Sequence, residues 1–215
     1  MPRFIQRLYP ERIWAFPAST NSVYLTFDDG PIPEVTPWVL DELKKYNAKA
    51  TFFCIGENVK KHPEIFQRIL TEGHSVGNHT FNHLNGAKTE TLAYIENVER
   101  CHEAINSEVK IQNSKLFRPP YGKITSKQAK ILQQKGFKIV MWDIISYDYD
   151  ANVSEEKCLQ NVLKHIKPGS VVVFHDSVKA EKNLRYVLPK VLEFVGEKGL
   201  FGASITKNCF NVRLS

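Results

Sequence analysis

Short apolar runs alternate with amphipathic stretches along nearly the whole chain. The runs fall at residues 23–27, 50–55, 75–78, 116–118, 139–144, 170–174 and 202–206, none longer than an ordinary strand. Between them the apolar positions take a helical period. Val35, Trp38, Val39, Leu43 and Tyr46 share one face, as do Leu92, Ile95, Val98, Cys101 and Ile105. Helix punctuation agrees. Pro63 stands where a first turn tolerates a missing donor, and Gly73, Gly136 and Gly199 follow the last apolar positions of their segments. Ser154 precedes Glu155 and Glu156, a cap followed by charges that suit the positive end of a helix. Repeated strand–helix units predict parallel strands with helices outside, as a closed or incomplete barrel or an open doubly wound sheet. No stretch reads as a linker, repeat or low-complexity tract. Residues 21–215 are therefore expected to form one domain, with residues 1–20, which carry Pro10 and Pro17, as an extended arm over the core.

Polar residues collect at one end of these strands. Asp28 and Asp29 follow Val-Tyr-Leu-Thr-Phe, His79 follows Ser-Val-Gly-Asn, and Arg118 follows Lys-Leu-Phe. Asp143 follows Ile-Val-Met-Trp, and His175 and Asp176 follow Val-Val-Val-Phe. Parallel strands share one C-terminal rim, where the active sites of α/β folds are built. Five strands are thus expected to deliver acid, imidazole and guanidinium groups to one mouth.

Individually these motifs are modest. Adjacent carboxylates on a strand point to opposite faces, so Asp28 and Asp29 can converge only where the strand breaks, and Gly30-Pro31 supplies a break. His79 and His83, four apart, can share one face of a helical turn and offer two imidazole nitrogens to one ion. With Asp29 they make a two-histidine, one-carboxylate set with open positions, which suits catalytic zinc or non-haem iron(II). In Arg118-Pro-Pro-Tyr-Gly122 two prolines remove two backbone donors and leave the Tyr121 amide as a fixed one. The other four histidines, His62, His74, His102 and His165, have no such company and are expected at the surface.

Taken in order, Thr-Phe-Asp-Asp-Gly-Pro (26–31), His-Thr-Phe-Asn-His (79–83), Arg-Pro-Pro-Tyr-Gly (118–122), Trp-Asp…Asp-Tyr (142–149) and Val-Phe-His-Asp (173–176) resemble the polysaccharide deacetylase family, also called the NodB-homology domain or carbohydrate esterase family four. The resemblance runs from about Val23 to Ile205. It implies an α/β fold, a distorted (β/α)7 barrel related to the TIM barrel. It implies a metal-dependent hydrolase that removes N-acetyl groups from amino sugars of a glycan, of chitin-oligosaccharide or peptidoglycan type, and releases acetate. By resemblance Asp29, His79 and His83 hold one divalent metal, zinc first, with Co2+, Ni2+ or Mn2+ as substitutes. Asp28 is the general base, positioned by Arg118, and His175 is the general acid with Asp148 as its charge partner. The Tyr121 amide faces the oxyanion, and Pro120, Tyr121, Tyr149 and Val173 contact substrate. Three positions depart from the family pattern: Tyr149 where Trp is common, Ile145 where Asp is frequent, and Val173 where Leu is usual. A metal-independent cyclic-amide hydrolase and a carbohydrate-binding pseudoenzyme are the alternatives on this fold.

Composition narrows the picture only a little. At 42% hydrophobic and 24% charged residues the chain is neither disordered nor fibrous. No apolar run is long enough to span a bilayer, and the first ten residues lack the apolar core of a secretory signal, so a cytoplasmic protein is the default expectation, with envelope association as the alternative. The net charge of +6 is spread in single residues and pairs, which favours solvated helix faces over nucleic-acid binding and leaves room for an anionic substrate. A monomer is expected. Cys54, Cys101, Cys158 and Cys209 lie about fifty residues apart with no Cys-x-x-Cys pair, and are expected as free, mostly buried thiols.

Overall fold

The computed structural model describes residues 3–108 and 115–210. Its strands are β1 Ser22–Asp28, β2 Ala50–Cys54, β3 Ser75–Asn78, β4 Leu116–Phe117, β5 Lys138–Ile139, β6 Ile144–Ile145, β7 Val171–His175 and β8 Phe201–Gly202. They form one curled sheet in the order β5-β4-β3-β2-β1-β7-β6, with β8 added beside the start of β1, and every pair is parallel. The helices are α1 Arg3–Leu8, α2 Thr36–Lys45, α3 Gly56–Lys61, α4 Pro63–Thr71, α5 Thr91–Ser107, α6 Ser126–Gln134, α7 Glu155–Leu163 and α8 Glu181–Glu197. This is the expected distorted barrel, left open between β5 and β6.

The run at 139–144, expected as one strand, is two short strands on opposite edges of the opening. The reason lies in its backbone partners. The Val140 and Met141 carbonyls accept from Arg118, Nε at 3.2 Å and Nη2 at 3.0 Å, instead of from a neighbouring strand. The N-terminal arm fills the opening: Ile13 N donates to Ile139 O at 2.9 Å, and Phe16 N to Gly169 O at 2.8 Å. The arm is extended only there, since it begins with α1 and ends in a 3-10 turn at Ala18–Thr20. Splitting the strand also moves Asp143. It precedes β6 and accepts from Val171 N at 2.8 Å and Ser170 Oγ at 3.2 Å, at the N-terminal end of β7 and away from the mouth.

Strand alternation decides what faces inward. On β1, Leu25 and Phe27 pack outward against the helices, while Tyr24 packs inside the barrel. On β7, Val172 and Phe174 face the helices, and Val171 and Val173 the interior. Each fully buried side chain of this size stabilises by about 1.5–3 kcal/mol. By the same alternation Thr26, Asp28 and His175 point into the barrel, so the packing pattern aims the chemistry. Helix ends follow the sequence: Ser154 Oγ accepts from Lys157 N at 3.2 Å at the start of α7. Two of the predicted helix-face residues, Tyr46 and Leu92, are exposed because they sit at helix ends. His74, expected at the surface, is buried; its Nδ1 accepts from Ala50 N at 3.1 Å and burial lowers its pKa to about 4. All four cysteines are free, three of them buried.

Candidate active site

The Asp28–Gly30 turn is shaped by a residue the sequence reading had placed only at the rim. Asp176, immediately after β7, donates its amide to Asp28 O at 3.0 Å. Its carboxyl accepts from Gly30 N at 3.0 Å and Thr36 Oγ1 at 2.6 Å. Burial pushes that carboxyl up to about 8. Position 30 must be glycine, because a Cβ there would lie 1.9 Å from Asp176 Oδ2. Asn58 Nδ2 holds the Asp29 carbonyl at 2.8 Å, and Asp29 takes a left-handed φ of 89°. The strand thus breaks as expected, and both carboxylates reach the mouth.

His79 and His83 do not lie on a helix. They follow β3 on a loop, where Thr80 and His83 adopt φ of 65° and 60° and fold the second imidazole back over the first. His79 is buried, and its Nδ1 donates to the Arg118 carbonyl at 2.8 Å. A carbonyl can only accept, so Nε2 is left with its lone pair toward the mouth. Burial lowers the His79 pKa to about 4, which keeps the ring neutral. His83 Nδ1 lies 3.0 Å from the Tyr121 hydroxyl, a group able to accept or donate. The two Nε2 atoms stand 3.8 Å (His79) and 3.3 Å (His83) from Asp29 Oδ1. Donors about 2 Å from a tetrahedral ion stand about 3.3 Å apart, so this trio fits a dication. One ligand atom from each of the three lies within 4.8 Å of the others. Burial opposes the charge on Asp29, but the His83 hydrogen bond and the field of His175 outweigh it and hold its carboxyl well below the usual range.

Asp28 stands beside this trio on a different support. Arg118 is fully buried, with Nη1 2.7 Å from both Asp28 Oδ1 and Thr26 Oγ1 and its guanidinium 4.1 Å above the Phe53 ring. Burial lowers the Arg118 pKa and Asp28 opposes that shift. Asp28 Oδ2 makes no hydrogen bond among the described residues and borders the cleft.

Across the mouth, Asp148 grips His175 twice. Its Oδ1 meets the ring Nδ1 at 2.8 Å, and its Oδ2 accepts the His175 amide at 2.8 Å. Burial disfavours the imidazolium, yet the Asp148 charge and hydrogen bond, helped by Asp29 and Asp28, win and raise the pKa to about 9. The Tyr149 ring meets the imidazole edge-on at 4.8 Å.

These groups surround a cleft of about 470 Å³, with Asp28, Asp29, His79 and His83 on its floor and Tyr121, Trp142, Ile145, Tyr149 and Val173 in its walls. Tyr121 holds φ of 59°, and its amide bonds nothing among the described residues, while the Gly122 and Lys123 amides turn back on Pro119 and Pro120, each at 3.0 Å. Of the expected substrate contacts, Tyr121, Tyr149 and Val173 line the cleft; Pro120 is buried and does not, while its neighbour Pro119 does. Arg118 and Asp148 do not line the cleft and reach it only through their contacts with Asp28 and His175. Sequence reasoning missed Trp142 and Lys179 as cleft residues. Trp142 belongs to the Trp-Asp motif, but nothing in that pattern aims its ring at the cleft, and nothing local singles out the lysine.

A family model for polysaccharide deacetylases matches residues 17–140. A peptidoglycan-N-acetylglucosamine deacetylase of Bacillus cereus is 42% identical over 75% of this chain, and the match spans 58% of that relative's length. A chitooligosaccharide deacetylase of Azorhizobium caulinodans is 35% identical over 73% of this chain and 74% of its own. The crystal structure of a peptidoglycan N-acetylglucosamine deacetylase in complex with 4-naphthalen-1-yl-N-oxidanyl-benzamide superposes with a TM-score of 0.87 at 35% identity, covering 95% of both chains. The family match stops short of Asp148 and His175, which the geometry above adds to the site. No helix among the described residues is long and apolar enough to cross a membrane.

Proposed function

Because the chain belongs to the polysaccharide deacetylase family, we propose that it hydrolyses N-acetyl groups on amino sugars of a glycan, with one divalent metal held by Asp29, His79 and His83. The observation that carries this reading is the convergence of that donor trio with a free carboxylate oxygen on Asp28 and the Asp148-paired His175 around one cleft. Two imidazoles and one carboxylate suit zinc best. When bound, the ion supplies Lewis acidity toward the acetyl carbonyl and the attacking water.

The chain's own groups account for the proton movements. Arg118 occupies Asp28 Oδ1 and leaves Oδ2 to take the proton from the attacking water. The Tyr121 amide is an unused donor fixed by its loop, suited to the oxygen on which charge develops; losing such a donor costs about 3 kcal/mol in the transition state. The amine departs only if protonated. His175, with its pKa raised to about 9, carries that proton at neutral pH. Val173, Tyr149 and Trp142 give the acetyl methyl and sugar ring apolar surface.

The His175 pKa fixes a sign. A raised imidazole is charged and competent as an acid below about pH 9 and loses the proton above it, so the alkaline limb of the rate profile belongs to His175. Asp148→Asn removes the groups' main charge pairing and leaves burial, which acts the other way. The limb is expected to move to lower pH by about 1–3 units. Profiles of kcat/KM against pH for both proteins check this, and an unmoved limb would remove Asp148 from its role. The proposed activity itself is tested by acetate release from chitooligosaccharides, peptidoglycan fragments and O-acetylated xylan, with and without a chelator. Release from N-acetylated glycans that stops on chelation is expected; release that survives chelation, or none from any glycan, would overturn the reading.

A further inference from the structure

The Tyr121 amide serves the oxyanion, but the Tyr121 side chain takes no part in the proton movements. Its setting is nonetheless unusual. The residue holds a left-handed φ of 59°, which bulky side chains rarely adopt, and it is 61% exposed, so burial does not offset the strain. What the conformation achieves is a contact. The ring lies edge-on to the His83 imidazole with centroids 4.6 Å apart, and the hydroxyl is 3.0 Å from His83 Nδ1. That is the hydroxyl's one hydrogen bond among the described residues. Three positions earlier the same segment holds the other imidazole, where the Arg118 carbonyl accepts from His79 Nδ1 at 2.8 Å. Residues 118–121 therefore support both histidines of the trio from behind, with each Nε2 on the Asp29 side at 3.8 Å and 3.3 Å from Oδ1. The two supports differ in kind. A carbonyl can only accept and its histidine is buried, whereas the His83 side chain is 27% exposed and rests on a hydroxyl.

We propose that the Tyr121 hydroxyl is a positioning group for the metal site, accepting the Nδ1 proton of His83 and so fixing the tautomer and ring plane that present Nε2 to the ion. The proposal rests on the metal reading above. A ligating nitrogen must offer its lone pair, so the ring proton of His83 sits on Nδ1, and the Tyr121 oxygen is its partner among the described residues. The sign follows from the donor. An imidazole N–H becomes a stronger donor when the opposite nitrogen faces a cation, so this bond is worth more in the loaded protein than in the metal-free one. A contact that favours one state over the other shifts the equilibrium toward it, here toward bound metal. Tyr121 then serves the site twice, with its amide at the oxyanion and its hydroxyl behind a ligand.

The test titrates Zn2+ into the metal-free protein against a competing chelator. Tyr121→Phe keeps the ring and the backbone amide and deletes the hydroxyl alone. Its Zn2+ affinity should fall about ten-fold, the lower end of the cost of losing an orienting partner, because water can reach the part-exposed His83 ring. The melting temperature of the metal-free protein should not change, since the side chain is exposed. A second readout looks at the two imidazoles directly. Proton spectra of the Co2+-loaded protein should show one exchangeable Nδ1–H resonance for each histidine. In Tyr121→Phe the His83 proton should exchange with solvent several-fold faster, while the His79 proton, bonded to the Arg118 carbonyl, should not. An affinity loss under about three-fold overturns the proposal. So does a larger loss that comes with a lower metal-free melting temperature, or with both imidazole protons exchanging faster, because either marks a general loosening of the loop. A wild-type protein that takes up no Zn2+ overturns the metal reading and this proposal with it, whereas normal uptake matched by Tyr121→Phe sinks the proposal alone.

Discussion

His79→Ala is expected to remove the bound dication and turnover together. The imidazole is one of only three protein donors in the trio, and its lone pair is aimed by the 2.8 Å bond from Nδ1 to the Arg118 carbonyl. Losing a group that merely orients a ligand typically weakens metal affinity 10–100-fold, so losing the ligand itself should cost more than about 100-fold. Metal content after gel filtration should fall from one ion per chain to near none, and acetate release with it. The substitution also leaves the Arg118 carbonyl without its donor, worth about 1 kcal/mol, a loss a stable fold withstands. His83→Ala, at a more exposed position, should give the same metal loss with less effect on melting temperature. A His79→Ala protein that keeps its ion and its rate would dissolve the metal assignment.

How much of this could be read in advance depends on range along the chain. Strand identities and the inward aim of Asp28 and His175 were legible, because a period of two residues is local information. The His79–His83 pairing was legible as chemistry but not as geometry: spacing suggested a helical turn, and the chain instead uses two left-handed residues, Thr80 and His83, which no periodicity announces. The split of the 139–144 run was illegible for a related reason. Its carbonyls are claimed by Arg118, more than twenty residues away, and its amide at Met141 by the arm at Ile13. Asp143 was misplaced as a direct consequence. Asp176 could not be weighed because its function is to brace Gly30 and Thr36, partners about 140 positions distant.

Asp28→Asn should separate proton transfer from metal binding. Asparagine keeps the volume and still offers Oδ1 to Arg118 Nη1, now 2.7 Å away, and it leaves the three metal donors untouched. What it cannot do is take a proton from water. A positioned base contributes about 10²–10⁴-fold, so kcat should fall by that factor with KM and metal content nearly unchanged. Stability should fall as well, for a separate reason: Arg118 is fully buried, and removing its only charge partner among the described residues leaves a cation uncompensated, at about 3–5 kcal/mol. Kinetics are therefore read well below the melting transition, and metal stoichiometry is measured on the same sample. Near-normal kcat would end the role of Asp28 as base, whereas loss of the ion would move Asp28 into the ligand set and make the trio a quartet. The two effects together explain why this arginine is buried at all: it costs stability to place, and what it secures is a carboxylate with one oxygen tied down and the other left for catalysis.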